Sequence, residues 1–265
     1  MKVACIQLST GENYNKNFKQ VIYFINQAIK KKADLIITPE TSSIMSSDKK
    51  KIFENSYSMK KDPLVNKIKK ISKKNKKWIL IGSLSIRDKN KLRNRSIMIN
   101  PKGNIVIYYD KISMFDVKLP NKEQHRESRT FIAGKKLKSI NLPWGKLGLT
   151  ICYDIRYPEI YRNLSKKHLH FISVPSAFTK ITGQKHWLAL LKARAIENFC
   201  YIFAPNQIGK NTKKRETFGH SVIISPDGKI LRLKKFGIGV IYADIKPNLS
   251  MQLRKIIPSY KLSVI

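Results

Sequence analysis

The spacing of apolar positions along this chain alternates between the period of a strand and that of a helix. Residues 2–8 alternate like a strand. Over 15–31, Phe18, Val21, Ile22, Ile25 and Ile29 recur at helical spacing, which leaves Asn, Gln and Lys on the opposite face. Leu35-Ile36-Ile37 is a short buried-strand run, closed by the proline of Thr38-Pro39-Glu40. A second helix is predicted over 62–75 from Leu64, Val65, Ile68 and Ile71. Strands follow at 78–86, 95–100, 104–110 and 146–152, the last two after turns at Pro101-Lys102-Gly103 and Pro143-Trp144-Gly145. The later half predicts a helix near 158–166, a strand at 169–174, a helix near 184–198 and a strand at 200–205. Strands 218–225 and 229–233 flank Ser225-Pro226-Asp227-Gly228 as a hairpin, and a last strand runs near 238–243. This order predicts an α/β fold with many strands of mixed direction and helices covering the sheets. No linker, repeat or low-complexity stretch divides it, so residues 1–265 are expected to form a single domain.

With 265 residues and 42% hydrophobic content, a sizeable core is within reach. Lys or Asn interrupts every hydrophobic run well short of the roughly 18 residues that a membrane-spanning helix needs. The apolar start is too short for a signal peptide, and a cytoplasmic location is expected. Three cysteines without CxxC spacing argue against both a disulfide framework and a thiol-rich zinc site. Cys5 and Cys200 lie in apolar strand-like runs and read as packing residues.

Charge changes the picture. There are 53 basic against 17 acidic residues, a net +36, and only 11 of the basic ones are Arg. Their scatter, in clusters such as 30–32, 49–51 and 73–74, reads as a solvated surface rather than a specific nucleic-acid interface. Such a field would speed the capture of small anionic substrates.

Only Cys152 has unusual neighbours. The strand ending at Thr150-Ile151 runs through Cys152-Tyr153-Asp154-Ile155-Arg156-Tyr157 into a helix that starts around Pro158. A nucleophile at such an elbow is presented at the end of the sheet, with backbone N–H groups of the next turn free to hold an oxyanion. Taken alone, Cys152 is equally a buried structural thiol, Pro39-Glu40 a surface turn and Lys111 one more solvated lysine. The five histidines lack paired ligand spacing, and GxGxxG, GxxxxGK[ST] and GxSxG are absent. Arg156 could pair with Glu159 three residues on or with a substrate carboxylate, and Arg194 with Glu197 would brace their helix.

The order Pro39-Glu40, then Tyr109-Asp110-Lys111-Ile112, then Ile151-Cys152-Tyr153-Asp154-Ile155-Arg156-Tyr157-Pro158-Glu159 resembles the Glu-Lys-Cys signature of the nitrilase superfamily of carbon-nitrogen hydrolases. Further matches are Glu127-Ser128-Arg129, Pro175-Ser176-Ala177-Phe178-Thr179, His186-Trp187 and Gly219-His220-Ser221. The resemblance covers essentially the whole chain. It implies a four-layer α-β-β-α sandwich with two mixed sheets, a homodimer, no metal and no organic cofactor. Carried over, Glu40 is the general base, with its pKa raised by partial burial, and Cys152 is the nucleophile. Lys111 and the backbone N–H of Tyr153 stabilise the oxyanion, and Glu127 orients the lysine. Tyr153, His186, Trp187, Ser176, Phe178 and Arg156 are the candidate substrate-binding residues. The pattern most resembles the branch that includes deaminated glutathione amidase and ω-amidase, which implies an amide bond in a small anionic molecule. An N-carbamoyl amino acid hydrolase and an idle scaffold that binds nucleic acid through its basic surface are the alternatives. The chain departs from the commoner pattern at Ser113, Met114 and Lys118.

Overall fold

The two periods in the sequence become two six-stranded sheets in the computed structural model, which describes residues 1–119, 123–166, 168–213 and 215–259. The last six residues of the expected single domain lie outside the described ones. In chain order the first half runs β1 (Lys2–Gln7), α1 (Tyr14–Lys30), β2 (Leu35–Ile37), α2 (Lys49–Glu54), α3 (Pro63–Asn75), β3 (Trp78–Asp88), β4 (Lys91–Ile99) and β5 (Ile105–Asp110). A small hairpin of β6 (Asp116–Lys118) and β7 (Gln124–Arg126) leads through a helical turn, Glu127–Arg129, to β8 (Lys138–Leu142) and β9 (Gly145–Leu149). The turn Cys152–Arg156 then opens onto α4 (Pro158–Ser165), β10 (Phe171–Ser173), α5 (Lys180–Thr182), a wide turn Gly183–Trp187 and α6 (Leu188–Asn198). The chain continues through β11 (Tyr201–Ala204), β12 (Ile208–Thr212), β13 (Arg215–Phe218), β14 (Ser221–Ile224), β15 (Ile230–Lys234), β16 (Gly239–Asp244) and α7 (Asn248–Ile256).

The first sheet has the order β16-β1-β2-β3-β4-β5 and the second β15-β14-β11-β10-β9-β8. Each has three parallel strands at its centre, β1-β2-β3 and β9-β10-β11, with antiparallel strands outside them. Successive side chains point to opposite faces of a strand, and β1 shows the consequence. Val3 and Cys5 enter a core shared with Leu149, Phe171 and Phe203 of the second sheet, whereas Ala4 and Ile6 meet Val21, Ile25, Leu64 and Ile68 of α1 and α3. Tyr161, Leu164, Leu191 and Ala195 of α4 and α6 cover the second sheet in the same way. The result is the expected four-layer sandwich. Cys5 and Cys200 are fully buried packing residues, as read from the sequence. Among the described residues, no helix is long and apolar enough to cross a membrane.

Local signals fix where the helices begin. The Asn13 side chain accepts from Lys16 N–H at 2.9 Å to cap α1, and Asp62 accepts from Val65 N–H at 2.9 Å ahead of Pro63 in α3. Two expectations change. The strand expected over 218–225 is split, because Gly219 and His220 both have positive φ (70° and 56°) and turn the chain from the β12-β13 ribbon into β14. The strand expected over 146–152 stops at Leu149, and Cys152 opens a helical turn instead of ending the strand. The elements α2, β6, β7, β8, α5, β12, most of β13 and α7 are not anticipated by the pattern. Several, such as Asp116–Lys118 and Gln124–Arg126, are too short and too polar to show a period.

Candidate active site

Four chain segments deliver their side chains to one point where the two sheets meet. The proline after β2 ends that strand and turns Glu40 inward, 2% exposed. Lys111 follows the last residue of β5 and is equally buried. Lys111 Nζ donates to Glu40 Oε1 at 3.0 Å and to Glu127 Oε2 at 2.7 Å. Asn94, on β4, donates from Nδ2 to the same two carboxylates, at 2.9 Å to Glu40 Oε1 and 3.0 Å to Glu127 Oε1. Glu127 Oε2 also accepts from the Phe115 N–H at 2.8 Å, and Glu40 Oε2 from the Ala177 N–H at 2.8 Å. An ammonium and an amide thus hold two acids side by side, a geometry that neither acid could keep without them.

Cys152 reaches this group from the second sheet. Its backbone continues the pairing of β9 and β10 for one more step, with its N–H donating to Pro175 O at 3.0 Å. It then takes a φ of 46°, a left-handed conformation rare for a residue with a side chain. With this kink Cys152 lines the same cavity as Glu40, close enough for the charge of the carboxylate to act on the thiol. Asp154 holds the kink. Its Oδ2 accepts from Ile151 N–H at 2.9 Å and from the Tyr109 hydroxyl at 2.7 Å, and its Oδ1 accepts from Ser113 N–H at 2.9 Å. One buried carboxylate therefore ties the nucleophile turn to β5 and to the loop that follows Lys111. From below, Arg194 donates to Ile155 O at 2.9 and 2.8 Å while pairing with Glu197 at 2.9 Å, so the expected brace also clamps the turn. The Tyr153 N–H lies in the first turn of a helical segment, where N–H groups have no intrahelical acceptor.

The electrostatics correct one expectation. Burial alone would raise the Glu40 carboxyl, but the positive charges of Lys111 and Arg215, with hydrogen bonds from Lys111 and Cys152, outweigh it and hold Glu40 below the ordinary range. Burial pushes the Cys152 thiol well up, and the Glu40 charge adds to this against a smaller pull from Lys111. Burial opposes the charge on Lys111, yet Glu127 and Glu40 raise it above the usual lysine value. The resting site is accordingly carboxylate, ammonium and thiol. A free thiolate is disfavoured there, so the proton leaves sulfur as the bond to carbon forms and negative charge passes toward Lys111.

A cavity of about 910 Å³ opens beside these groups, lined by Glu40, Lys111, Glu127, Cys152, Phe178 and Arg215 among others. Of the six residues expected to bind substrate, Phe178 lines it. Trp187 is fully buried against the Phe178 ring at 5.0 Å and donates from Nε1 to His220 O at 2.9 Å, so it supports the wall from behind. Ser176 is fully buried with its hydroxyl on Val174 O at 3.1 Å. Arg156 lies over Tyr153 and Phe178, 5.9 and 5.5 Å from their ring centres, and its Nη2 is 3.2 Å from Nδ1 of the exposed His186. Among the described residues it makes no ion pair with Glu159. Tyr153 packs edge-on to Phe115 at 5.0 Å. Asn94, Asp154, Ala177 and Arg215 were not anticipated. Arg215 was hidden in the run Lys213-Lys214-Arg215, and an asparagine or a backbone amide leaves no trace in a single sequence.

Residues 2–255 match the family described as Carbon-nitrogen hydrolase. The chain belongs to this family. This carbon-nitrogen hydrolase is 33% identical to a protein of Synechocystis named deaminated glutathione amidase, over 97% of the present chain and 95% of that one. It superposes on the NitFhit protein of Caenorhabditis elegans with a TM-score of 0.92 at 30% identity, covering 99% of this chain but only 65% of that longer protein. Nit3 of Saccharomyces cerevisiae, a member of branch 10 of the nitrilase superfamily, gives 0.87 at 27% identity over 97% of this chain and 94% of its own. The sandwich of this carbon-nitrogen hydrolase is thus the nitrilase fold over nearly its whole length.

Proposed function

We propose that residues 1–265 form one carbon-nitrogen hydrolase domain that cleaves the amide of a small anionic substrate of the deaminated glutathione type through a thioester on Cys152. The observation that carries this reading is the buried contact of Glu40, Lys111 and Cys152 beside a cavity that also holds Arg215. The name of the Synechocystis relative supports the substrate class. As the Cys152 sulfur bonds to the amide carbon, its proton passes to Glu40, and the carbonyl electrons move onto oxygen beside Lys111 Nζ and the Tyr153 N–H. Collapse breaks the carbon–nitrogen bond while Glu40 returns the proton to the departing nitrogen. Water then attacks the thioester, losing its proton to Glu40. The second collapse breaks the carbon–sulfur bond, and sulfur recovers the proton. Glu127 positions Lys111 throughout. The chain works in the cytoplasm, as a homodimer, without a metal or organic cofactor.

The test is mass spectrometry of turnover on a panel of deaminated glutathione, 2-oxoglutaramate, N-carbamoyl amino acids and simple nitriles. Deaminated glutathione is expected to be the best substrate, with loss of at least about three orders of magnitude in kcat/KM for Cys152→Ala. A higher kcat/KM for 2-oxoglutaramate moves the enzyme to the ω-amidase class. Turnover that survives Cys152→Ala, or none on any member while DNA or RNA binds tightly, overturns the reading.

A further inference from the structure

Arg215, the first residue of β13, is a cation in the catalytic cavity without an anion of its own. Its Nη2 donates to Ala177 O at 2.8 Å, and the Ala177 N–H in turn holds Glu40 Oε2 at 2.8 Å. Its Nε is buried without a partner. Among the described residues, no carboxylate lies within ion-pair distance of Arg215, and the neighbouring Glu216 is engaged with Lys180 at 2.9 Å. A guanidinium carries five N–H donors in a fixed fork suited to a carboxylate. Ala177 O takes only one of these donors, and the side chain lines the cavity, so a ligand anion there would meet a cation whose charge no carboxylate among the described residues pairs. Arg215 lines the same cavity as Glu40, His125 and Cys152, and its positive charge acts on both Glu40 and His125.

We propose that Arg215 determines specificity: the guanidinium N–H groups that Ala177 O leaves free on the cavity side bind a carboxylate of the substrate, and this contact sets the scissile amide against Cys152. This rests on the amidase reading and adds to it the residue that selects a carboxylate-bearing amide over a neutral one. Ala177 joins the two functions, because its carbonyl steadies Arg215 while its N–H steadies the base. A lysine at this position would keep the charge and a bond to Ala177 O but lose the fork.

Two arms test it. In a Cys152→Ala background, where turnover plays no part, glutarate binding is measured by isothermal titration, with 5-oxohexanamide as the neutral isostere of glutaramate. Arg215→Met is expected to weaken glutarate at least about 30-fold, Arg215→Lys by an intermediate factor, and neither to shift 5-oxohexanamide comparably. Lys192→Gln, which removes one charge from the exposed face of α6, is expected to leave glutarate within about twofold, since screened surface charges act weakly. With Cys152 intact, the ratio of kcat/KM for glutaramate over 5-oxohexanamide should fall about 100-fold in Arg215→Met. Glutarate affinity independent of Arg215, or equal losses on both amides, overturns the proposal and leaves Arg215 as a support for the Ala177 peptide. If the unaltered enzyme hydrolyses neither these amides nor deaminated glutathione while glutarate binding still requires Arg215, the amidase reading fails and the carboxylate site stands.

Discussion

Replacing Lys111 by methionine removes the ammonium that joins the buried Glu40 to the partly buried Glu127, and the result should be legible in the pH dependence of stability. With Glu40 Oε1 at 3.0 Å and Glu127 Oε2 at 2.7 Å, each pair attracts by about 5–6 kcal/mol at an effective dielectric near 20. Desolvation offsets much of that, and losing one partner of a buried pair leaves a net cost of about 3–5 kcal/mol. For a domain near this size each kcal/mol moves the midpoint by about 2–4 °C, so a fall of roughly 6–20 °C is expected at neutral pH. The sign of its pH dependence follows from Glu40. In the unaltered protein its pKa is depressed, so its contribution is fully present above about pH 4.3, the unfolded value, and is lost as pH falls through the folded one. Without Lys111, burial dominates and the pKa rises. Arg215 remains, but it makes no hydrogen bond to Glu40, and Asn94 and the Ala177 N–H carry no charge. The stability of the variant is then greatest below about pH 4.3 and declines as pH rises. Melting both proteins between about pH 4.5 and pH 8 by circular dichroism should show a midpoint deficit that narrows on acidification. A deficit that stays constant or widens toward acid refutes the assignment of charges. The variant should also lose about 100- to 1,000-fold in kcat, since the oxyanion loses a donor.

At φ 46°, Cys152→Gly should melt at or above Cys152→Ala, because only glycine relieves about 1–2 kcal/mol of left-handed strain; a glycine variant melting several degrees lower contradicts this. Asp154→Asn puts an amide where three donors converge and should cost about 1–3 kcal/mol by denaturant titration and lower kcat more than it moves KM, with Tyr109→Phe milder on both counts. Gly82→Ala should be among the least tolerated changes outside the site. A methyl there would sit inside van der Waals contact of the Thr38 carbonyl and 2.5 Å from Pro175 Cβ, so a loss of about 1–3 kcal/mol or more is expected and a neutral result excludes the close approach of the two sheets beneath Glu40.

Much of the catalytic group was legible from the joint order of three motifs that resemble one family, and the structure places each member just beyond the end of a strand. Glu40 follows the proline that ends β2, Lys111 follows the last residue of β5, and Cys152 stands between strand and helix. The scarce arginines carry a signal that the sequence reading did not use. In a chain where lysine is the common cation, Arg95 grips Asp110 at 2.6 and 2.9 Å, Arg194 clamps Ile155 O and Arg87 binds Phe53 O at 2.6 Å. Arg95 and Arg194 each bond through two donors of a planar fork that lysine cannot supply. Arg215 belongs with them.

Sequence alone settled the periodicities, hence an α/β fold with many strands and helices covering the sheets, and it settled which thiol stands at an elbow, because both are local properties of a few neighbouring residues; the four-layer sandwich was implied by the resemblance. Which way each strand was entered, where the 218–225 run would break, and whether Glu40 would be pushed up or held down were decided only in three dimensions. The pKa of a buried acid depends on charges brought from elsewhere in the chain, here Lys111 and Arg215, and on amides such as Ala177 N–H that every sequence contains. The same holds for the pocket. Ser176 and Trp187 lie near the catalytic segments in sequence but face the core, while Arg215, 63 positions beyond Cys152, faces the cavity because the turn at Gly219 and His220 folds its ribbon back over the site.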